Sequence, residues 1–226
     1  IIFQSYFSKF VYEKIGGRIT VANKIIYNGV PDFFAKEKSA IKKNTGSEFL
    51  IASRPDRVKR VNDMVRCFVN SRYSAHYRLV IANDVEVIPE MDHPSVTLAG
   101  RLTPVELRRR ILQAKALLHL GWYDWCPNLV IESIVLGTPV ICSGVGGTAE
   151  LIKDSGIVVD CRDPEPDFLS PRTEVPRLRQ HCFNQAIESF LEKSSKDFDF
   201  YRPEFLMSNV ASKYQKFYIA VAEQNF

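Results

Sequence analysis

The chain has 226 residues, of which 46% are hydrophobic and 25% are charged. These proportions are typical of a globular protein and exclude disordered, collagen-like and disulfide-knotted classes. The longest apolar runs hold about five or six residues, far short of the ~20 that a membrane-spanning helix needs. The net charge of +4 is too small to indicate nucleic-acid binding. It suits an anionic small ligand or a weak hold on an acidic membrane surface.

The cysteine pattern favours a reduced, cytoplasmic protein. The five cysteines are scattered and none forms a C-x-x-C pair: Cys67, Cys126, Cys142, Cys161 and Cys182. The histidines do not cluster with them, so we expect no metal site of the zinc type. The chain begins with Ile1 in a strand-like run, and we therefore expect a further segment to precede it in the natural protein.

Six short apolar runs predict the strands of a parallel sheet. Each run is too short for a helix and largely non-alternating, as in strands that are covered on both faces. The runs are 49–53, 78–82, 96–100, 116–120, 138–142 and 156–160. Segments of helical period separate most of them, and 59–69 carries an apolar stripe. The alternation predicts an α/β fold with a doubly wound, mostly parallel sheet.

Two of the predicted helices carry clear boundary signals. Thr103 and Glu106 form a capping box, which predicts a helix running to about Lys115. A second helix lies between Pro127 and Gly137, since proline favours the first position of a helix and glycine the position after its end. Toward the termini we expect two strands around a helix in 1–27, a turn at 28–31, a polar connection or short helix in 32–46, and helices near 177–193 and 203–223.

The residues that follow the strands are the candidate ligand contacts, because open α/β sheets bind ligands at the carboxyl ends of their strands. Arg54 and Lys59 follow the first of the six runs. Two fixed cations at that edge suit a diphosphate, with arginine acting as a fork and lysine as a point charge. A solvated basic turn is the alternative interpretation.

The helix that begins near Pro127 provides a second candidate contact. Its first amides, near 128–130, form an anion site without any side chain. Asp124 precedes the helix and Glu132 lies in its second turn, so each carboxylate is available to a pair of sugar hydroxyls. Alternatively, Asp124 interacts with the helix dipole and Glu132 is an ordinary helical residue. A lone carboxylate in so apolar a helix nevertheless needs a partner.

Gly146 and Gly147 permit a close approach of the backbone to a ligand, although a tight turn explains them equally well. Taken together, Asp124 and Glu132 with seven residues between them, the Gly137-Thr-Pro-Val strand and the Gly-Gly-x-x-Glu turn that ends at Glu150 resemble the nucleotide-sugar signature of retaining GT-B glycosyltransferases. This is the glycosyl transferases group 1 family, which sucrose and glycogen synthases typify. Arg54 and Lys59 resemble its phosphate clamp.

The resemblance implies the Rossmann-like C-terminal half of a GT-B fold and a role for each matching residue. Glu132 is expected to bind the ribose hydroxyls, and Asp124, where the family usually has Glu, to lie against the donor sugar. Arg54 and Lys59 are expected to neutralise the leaving diphosphate. The other implied contacts are Gly100, Arg101 and Leu102 at the base, the amides of Asn128 and Leu129 at the diphosphate, and Gly146 and Gly147 against the ligand.

The resemblance also implies how the chain is organised and what it binds. Residues 1–30 would be a remnant of the N-terminal domain with the hinge, 31–200 the nucleotide-sugar-binding domain, and 201–226 a C-terminal helix. The implied ligand is a UDP- or GDP-type sugar donor, with no metal and no other cofactor. The acceptor would be a glycan or a lipid-linked molecule. The arginine run 108–110 suits peripheral membrane contact or, alternatively, a solvated helix face.

Three other functions stay open at this point. The chain is also compatible with a non-catalytic nucleotide-sugar-binding module, with another GT-B enzyme such as an epimerase or an inverting transferase, or with an α/β scaffold for protein contacts. As the donor-binding portion of a longer transferase, the chain alone is expected to bind a nucleotide sugar and to transfer the sugar poorly or not at all.

Overall fold

The structure is a computed structural model that describes residues 1–37, 46–170 and 174–223. The strands are β1 (Ile2–Phe3), β2 (Lys24–Ile25), β3 (Glu48–Ile51), β4 (Arg78–Ile81), β5 (Val96–Leu98), β6 (Ala116–His119), β7 (Val140–Ser143) and β8 (Gly156–Val159). The α-helices are α1 (Tyr6–Lys14), α2 (Phe33–Glu37), α3 (Val61–Val69), α4 (Pro104–Gln113), α5 (Asn128–Leu136), α6 (Thr148–Ile152), α7 (Gln180–Leu191) and α8 (Met207–Glu223).

The six predicted strands form one sheet in the order β5-β4-β3-β6-β7-β8, and every pair is parallel. The predicted α/β class and doubly wound sheet are therefore confirmed. Successive strands run outward from β3 to one edge, and the chain then returns to the other side of β3 to begin β6. The loops after β3 and β6 thus flank the reversal of strand order, where open α/β sheets bind ligands.

Helices cover both faces of the sheet, as the non-alternating strands predict. One buried cluster joins α3 and α7 to the sheet, and another joins α4 and α5 to the opposite face. The predicted boundary signals also hold. The capping box of Thr103 and Glu106 is formed at the start of α4, and Gly137 ends α5 in the left-handed region at φ 83°.

The helix predicted over 59–69 begins two residues later than predicted, at the first apolar residue of its stripe. Arg57–Lys59 is a 3-10 turn, and Arg60 takes a left-handed conformation with φ 51° before α3 begins at Val61. This conformation is strained for a non-glycine residue, which adopts it only where other contacts fix the backbone. The buried Arg60 side chain donates to the carbonyls of Leu120 and Gly121, and these long-range contacts override the local helical pattern.

The N-terminal residues form a small β-α-β unit of their own. Strands β1 and β2 pair in parallel, and α1 connects them, as the sequence predicts. The turn at 28–31 is followed by the short helix α2, and the rest of the predicted connection, 38–45, lies outside the described residues. Val30 forms an isolated β-bridge with Leu206, so the residues directly before α8 contact the segment between β2 and α2. The division at 30/31 and 200/201 stays a prediction.

Two of the three arginines of the run 108–110 on α4 form ion pairs within the protein. Arg108 lies 3.4 Å from a Glu37 carboxylate oxygen and over the ring of Phe34, and Arg110 lies 3.4 Å from Glu48. These contacts favour a paired helix face over membrane contact. Within 1–37, 46–170 and 174–223 there is no helix with the length and apolar character needed to cross a bilayer.

The expectation of five reduced cysteines is wrong. Cys161 and Cys182 form a disulfide with a Cα–Cα distance of 5.5 Å, and it joins the loop after β8 to α7. Cys67, Cys126 and Cys142 are buried free thiols. No local signal predicts this pair, because 21 positions separate the two cysteines and only the fold brings them together. Cysteine usage therefore no longer supports a cytoplasmic location.

We expect thiol titration of the denatured, unreduced chain to find three free thiols, not five. Reduction should lower the free energy of unfolding by about 3 kcal/mol, because the bond closes a loop of intermediate length. Urea unfolding with and without dithiothreitol measures this difference. A variant with Cys161→Ala and Cys182→Ala together should show no response to dithiothreitol, and five titratable thiols in the unmodified chain would contradict the pairing.

Candidate donor-binding site

The carboxyl edge of the sheet gathers most of the predicted ligand residues. Arg54 lies in the loop after β3, Asp124 in the loop after β6, and Gly146 and Gly147 in the turn after β7. Because β3 and β6 are neighbours, the loops that follow them meet at the reversal of strand order. The structure also joins them directly, since the Trp122 amide donates to the Val58 carbonyl at 2.7 Å.

Lys59 and Asp124 form an ion pair between these two loops. Lys59 Nζ contacts Asp124 Oδ2, and the two side chains are only 14% and 15% exposed. The other oxygen, Oδ1, accepts a hydrogen bond from the Trp125 amide at 2.8 Å. His119 Nε2 lies 3.3 Å from Oδ2. Both carboxylate oxygens are thus in contact with the protein's own groups.

The surroundings of Asp124 act on its pKa in opposite directions. Burial alone would raise it, but the contact with His119 and the charge of Lys59 outweigh burial, and the pKa lies well below its usual range. Asp124 is therefore ionised throughout the physiological pH range.

A second ion pair, which the sequence did not predict, involves Arg60, the residue directly after Lys59. Arg60 Nη1 lies 2.8 Å from Asp163 Oδ2, with side chains 1% and 4% exposed. The same guanidinium donates to the carbonyls of Leu120 and Gly121 and so fixes the start of the Asp124 loop. No local signal identifies this pair, because Asp163 comes from a loop more than a hundred positions away.

The first amides of α5 are available to an anion. The amides of Asn128 and Leu129 have no acceptor within the described part of the chain, whereas those of Val130 and Ile131 both donate to the Pro127 carbonyl. Asn28, from the predicted hinge, donates from Nδ2 to the side-chain oxygen of Asn128 at 2.8 Å. The hinge therefore touches the helix start that the sequence reasoning assigned to the diphosphate.

Arg54 and Glu132 are the predicted ligand residues whose side chains stay unpaired within the described part of the chain. Arg54 is exposed, and among the described residues neither side chain makes a hydrogen bond or an ion pair. Burial raises the pKa of Glu132, and the positive charge of Arg108 only partly offsets it. A half-buried carboxylate without a donor is available to the hydroxyls of a ligand.

The Gly146–Gly147 turn is explained by contact with the Asp124 loop. Gly146 has φ 97°, and a Cβ on it would lie 2.8 Å from the Asp124 amide nitrogen. A Cβ on Gly147 would lie 1.9 Å from the Trp125 carbonyl oxygen, while its amide donates to the Asp124 carbonyl at 2.7 Å. Both glycines allow a close backbone approach, and the partner in the structure is the protein's own loop. Their contact with a ligand stays a prediction.

The predicted base-binding residues lie farther out. Gly100, Arg101 and Leu102 follow β5, which is the edge strand of the sheet. Gly100 has φ 63° with open space where a Cβ would stand, and Arg101 is exposed. The structure describes no contact that joins this loop to Lys59 or Asp124, so its contact with a base stays a prediction.

Glu150, the last residue of the Gly-Gly-x-x-Glu turn, caps helix α1. Its carboxylate accepts from the amides of Tyr6 and Phe7 at 3.0 and 3.1 Å and from the Tyr27 hydroxyl at 3.1 Å. Burial and then the Glu150 charge raise the pKa of Tyr27. A carboxylate at the amino end of a helix also compensates the helix dipole. The turn beside the candidate site thus holds the N-terminal unit.

With this geometry described, the chain can be compared with known proteins. Residues 39–169, more than half of the chain, match the family described as glycosyl transferases group 1. The chain belongs to this family. No curated protein sequence matches it at a significant level.

Solved glycosyltransferase structures share the fold. Anabaena HepE in complex with UDP superimposes with a TM-score of 0.69 and 15% identity, over 97% of this chain and 63% of that one. Sucrose-phosphate synthase from Thermosynechococcus elongatus gives a TM-score of 0.69 and 16% identity, over 99% of this chain and 58% of that one. The present chain therefore spans about six tenths of these proteins' lengths. At such low identity the likeness shows the Rossmann-like GT-B architecture alone.

We expect Gly147→Ala to lower the free energy of unfolding by about 2–3 kcal/mol, because the added Cβ overlaps the Trp125 carbonyl and the turn must move. Gly100→Ala is the matched control, since it meets only the backbone cost of a positive φ, about 1 kcal/mol. Urea unfolding of both variants measures the difference. Equal losses would show that the Gly147 turn is not packed as described.

Glu150→Ala should release the amino end of α1. Loss of the cap is expected to cost about 1 kcal/mol and to accelerate hydrogen exchange at the amides of Tyr6 and Phe7. Glu106→Ala, which removes one half of the capping box at the start of α4, should leave exchange in α1 unchanged. Unchanged exchange in Glu150→Ala would contradict the capping role.

Proposed function

We propose that the chain binds the nucleoside diphosphate part of a nucleotide-sugar donor, as the donor-binding portion of a retaining hexosyltransferase. The observation that carries this proposal is a set of groups that have no hydrogen-bond or ion-pair partner among the described residues, in the loop after β3 and in the first two turns of α5: the Arg54 guanidinium, the Asn128 and Leu129 amides, and the Glu132 carboxylate. Donors for a diphosphate stand with an acceptor for hydroxyls, and a nucleoside diphosphate carries both kinds of group.

The cations and the α5 amides suit the chemistry of the leaving group. Transfer of the sugar leaves negative charge on the terminal phosphate of the nucleoside diphosphate. Fixed donors stabilise such charge best when they are already in place before the reaction. Lys59 is held by Asp124, and the loop that carries it is held by Arg60. In this proposal Lys59 and Arg54 act where other enzymes use a metal ion.

Structures of relatives lend support to the type of ligand. One HepE structure contains UDP, and another contains UDP-glucose, with 16% identity and a TM-score of 0.65 to this chain. We propose a UDP- or GDP-type sugar as donor and a glycan or lipid-linked acceptor. Because the chain spans about six tenths of its neighbours' lengths, sugar transfer by these residues alone should be slow or absent.

Calorimetry with UDP-glucose and GDP-mannose on the chain tests the proposal. Arg54→Ala and Glu132→Gln should each weaken binding by about 1.5–3 kcal/mol, or roughly ten- to a hundredfold in Kd, since each removes one charged contact. Arg109→Ala is the control, because this arginine is exposed on α4, away from the carboxyl edge.

Two outcomes separate the proposal from its alternatives. A protein-contact scaffold predicts no binding of either donor by the unmodified chain. A binding module without catalysis predicts the same affinities, but no transfer in any longer form of the protein that also binds an acceptor.

A further inference from the structure

His119 is a buried polar side chain for which the proposed donor site provides no role. It ends strand β6 and is 5% exposed. Neither ring nitrogen has a well-formed hydrogen bond with the residues that the structure describes. Its Nε2 lies 3.3 Å from Asp124 Oδ2, the same oxygen that contacts Lys59. Burial of an imidazole without partners is unfavourable, so this position calls for an explanation.

The proposed function places two demands on Lys59. In the ligand-free chain its ammonium compensates Asp124, and in the donor complex it compensates the diphosphate. When Lys59 turns to the diphosphate, Asp124 keeps its amide contact from Trp125 but loses its cation. A carboxylate that is only 15% exposed is strongly destabilised when its cation is removed.

We propose that His119 is the positioning residue that takes over Asp124 when Lys59 turns to the donor. His119 binds a proton from solvent and donates from Nε2 to Asp124 Oδ2. The Asp124 loop therefore keeps its conformation while the Lys59 ammonium leaves Asp124 and binds the diphosphate of the donor. This inference rests on the proposed function for the ligand, and His119 itself acts through Asp124.

The titratable groups near His119 come from β7, β3, α5 and the two flanking loops. On β7 the residue in register with it is Cys142, whose thiol is kept neutral because burial raises its pKa. On β3 the charged residue is Glu48, which is at the far end of the strand and pairs with Arg110. The helix packed directly on β6 is α5, whose one charged residue is Glu132, and the flanking loops carry Lys59, Arg60 and Asp124. Of these, Glu132 has a raised pKa, so its titration needs a control.

A ligand-free experiment tests the exchange directly. NMR titration of the His119 ring should give a midpoint about one unit higher in Lys59→Met than in the unmodified chain, because a competing cation is gone. Asp124→Asn should lower the midpoint, and it gives an independent answer if Lys59→Met does not fold. Glu132→Gln should leave it close to its original value, and the His93 midpoint should not move in any variant. An unchanged His119 midpoint in the Lys59 and Asp124 variants overturns the inference.

A second experiment measures the proton that binding takes up. UDP-glucose is the probe, because its diphosphate diester is already fully ionised near neutral pH and therefore neither takes up nor releases a proton there. Calorimetry in two buffers of different ionisation enthalpy should show net proton uptake by the unmodified chain, and its Kd should rise with pH by up to about tenfold per unit. His119→Gln should abolish the uptake and flatten this dependence, whereas a purely structural histidine would change stability alone.

The two experiments distinguish the failure of each proposal. If UDP-glucose does not bind, the donor assignment is wrong, and the ligand-free titration still decides the role of His119. If UDP-glucose binds without proton uptake, and His119→Gln binds with the same pH dependence, the donor assignment stands and the exchange at Asp124 is wrong.

Discussion

The ion pair between Lys59 and Asp124 joins the two loops that flank the reversal of strand order, and the geometry of the candidate site depends on it. Both side chains are largely buried, so loss of one partner leaves the other as an uncompensated charge. Arg60 strengthens the same junction from the adjacent position, because its guanidinium holds the carbonyls of Leu120 and Gly121 and pairs with Asp163. The neighbouring side chains of Lys59 and Arg60 thus hold the loop after β6, Arg60 at its first carbonyls and Lys59 at the Asp124 carboxylate.

The polar groups of the site fall into two sets with different states in the free protein. Those that build the loops are already paired, as the Lys59 and Arg60 contacts show. Those proposed to contact the ligand have no hydrogen-bond or ion-pair partner among the described residues, namely Arg54, Glu132 and the first amides of α5. This division would reduce the free-energy cost of binding the proposed ligand, because Lys59 alone would have to change its partner while the unpaired groups exchange water for ligand. Lys59 belongs to both sets, and for this reason a second partner for Asp124 matters.

The sequence predicted the sheet well because its signals are local. Each buried strand is a short apolar run, and the capping box at Thr103 and the glycine at 137 act within a few residues of the helix ends that they define. The family resemblance rests on such local motifs too, and it selected the loops that the structure gathers at the carboxyl edge. The order of the strands in the sheet was not predicted, because right-handed helical crossovers restrict the connections between strands without fixing where the chain reverses.

Contacts that join distant parts of the chain could not be predicted in this way. The disulfide of Cys161 with Cys182, the left-handed Arg60 and its pair Asp163 all depend on the folded arrangement of loops. The Gly146–Gly147 turn shows the same limit, because glycine signals a close backbone approach without identifying the partner. In the structure the partner is the Asp124 loop, which places the turn within the scaffold of the site.

The N-terminal unit contacts this scaffold at both of its ends. Asn28 donates to the side chain of Asn128 at the start of α5, and Glu150, just after the glycine turn, caps α1 through the amides of Tyr6 and Phe7. Phe7 also packs on the ring of Trp125, which directly follows Asp124. A displacement of the N-terminal unit must therefore break contacts beside the α5 amides, the glycine turn and the Asp124 loop together. The position of this unit and the geometry of the proposed diphosphate site are coupled through short, direct contacts, without any intervening element.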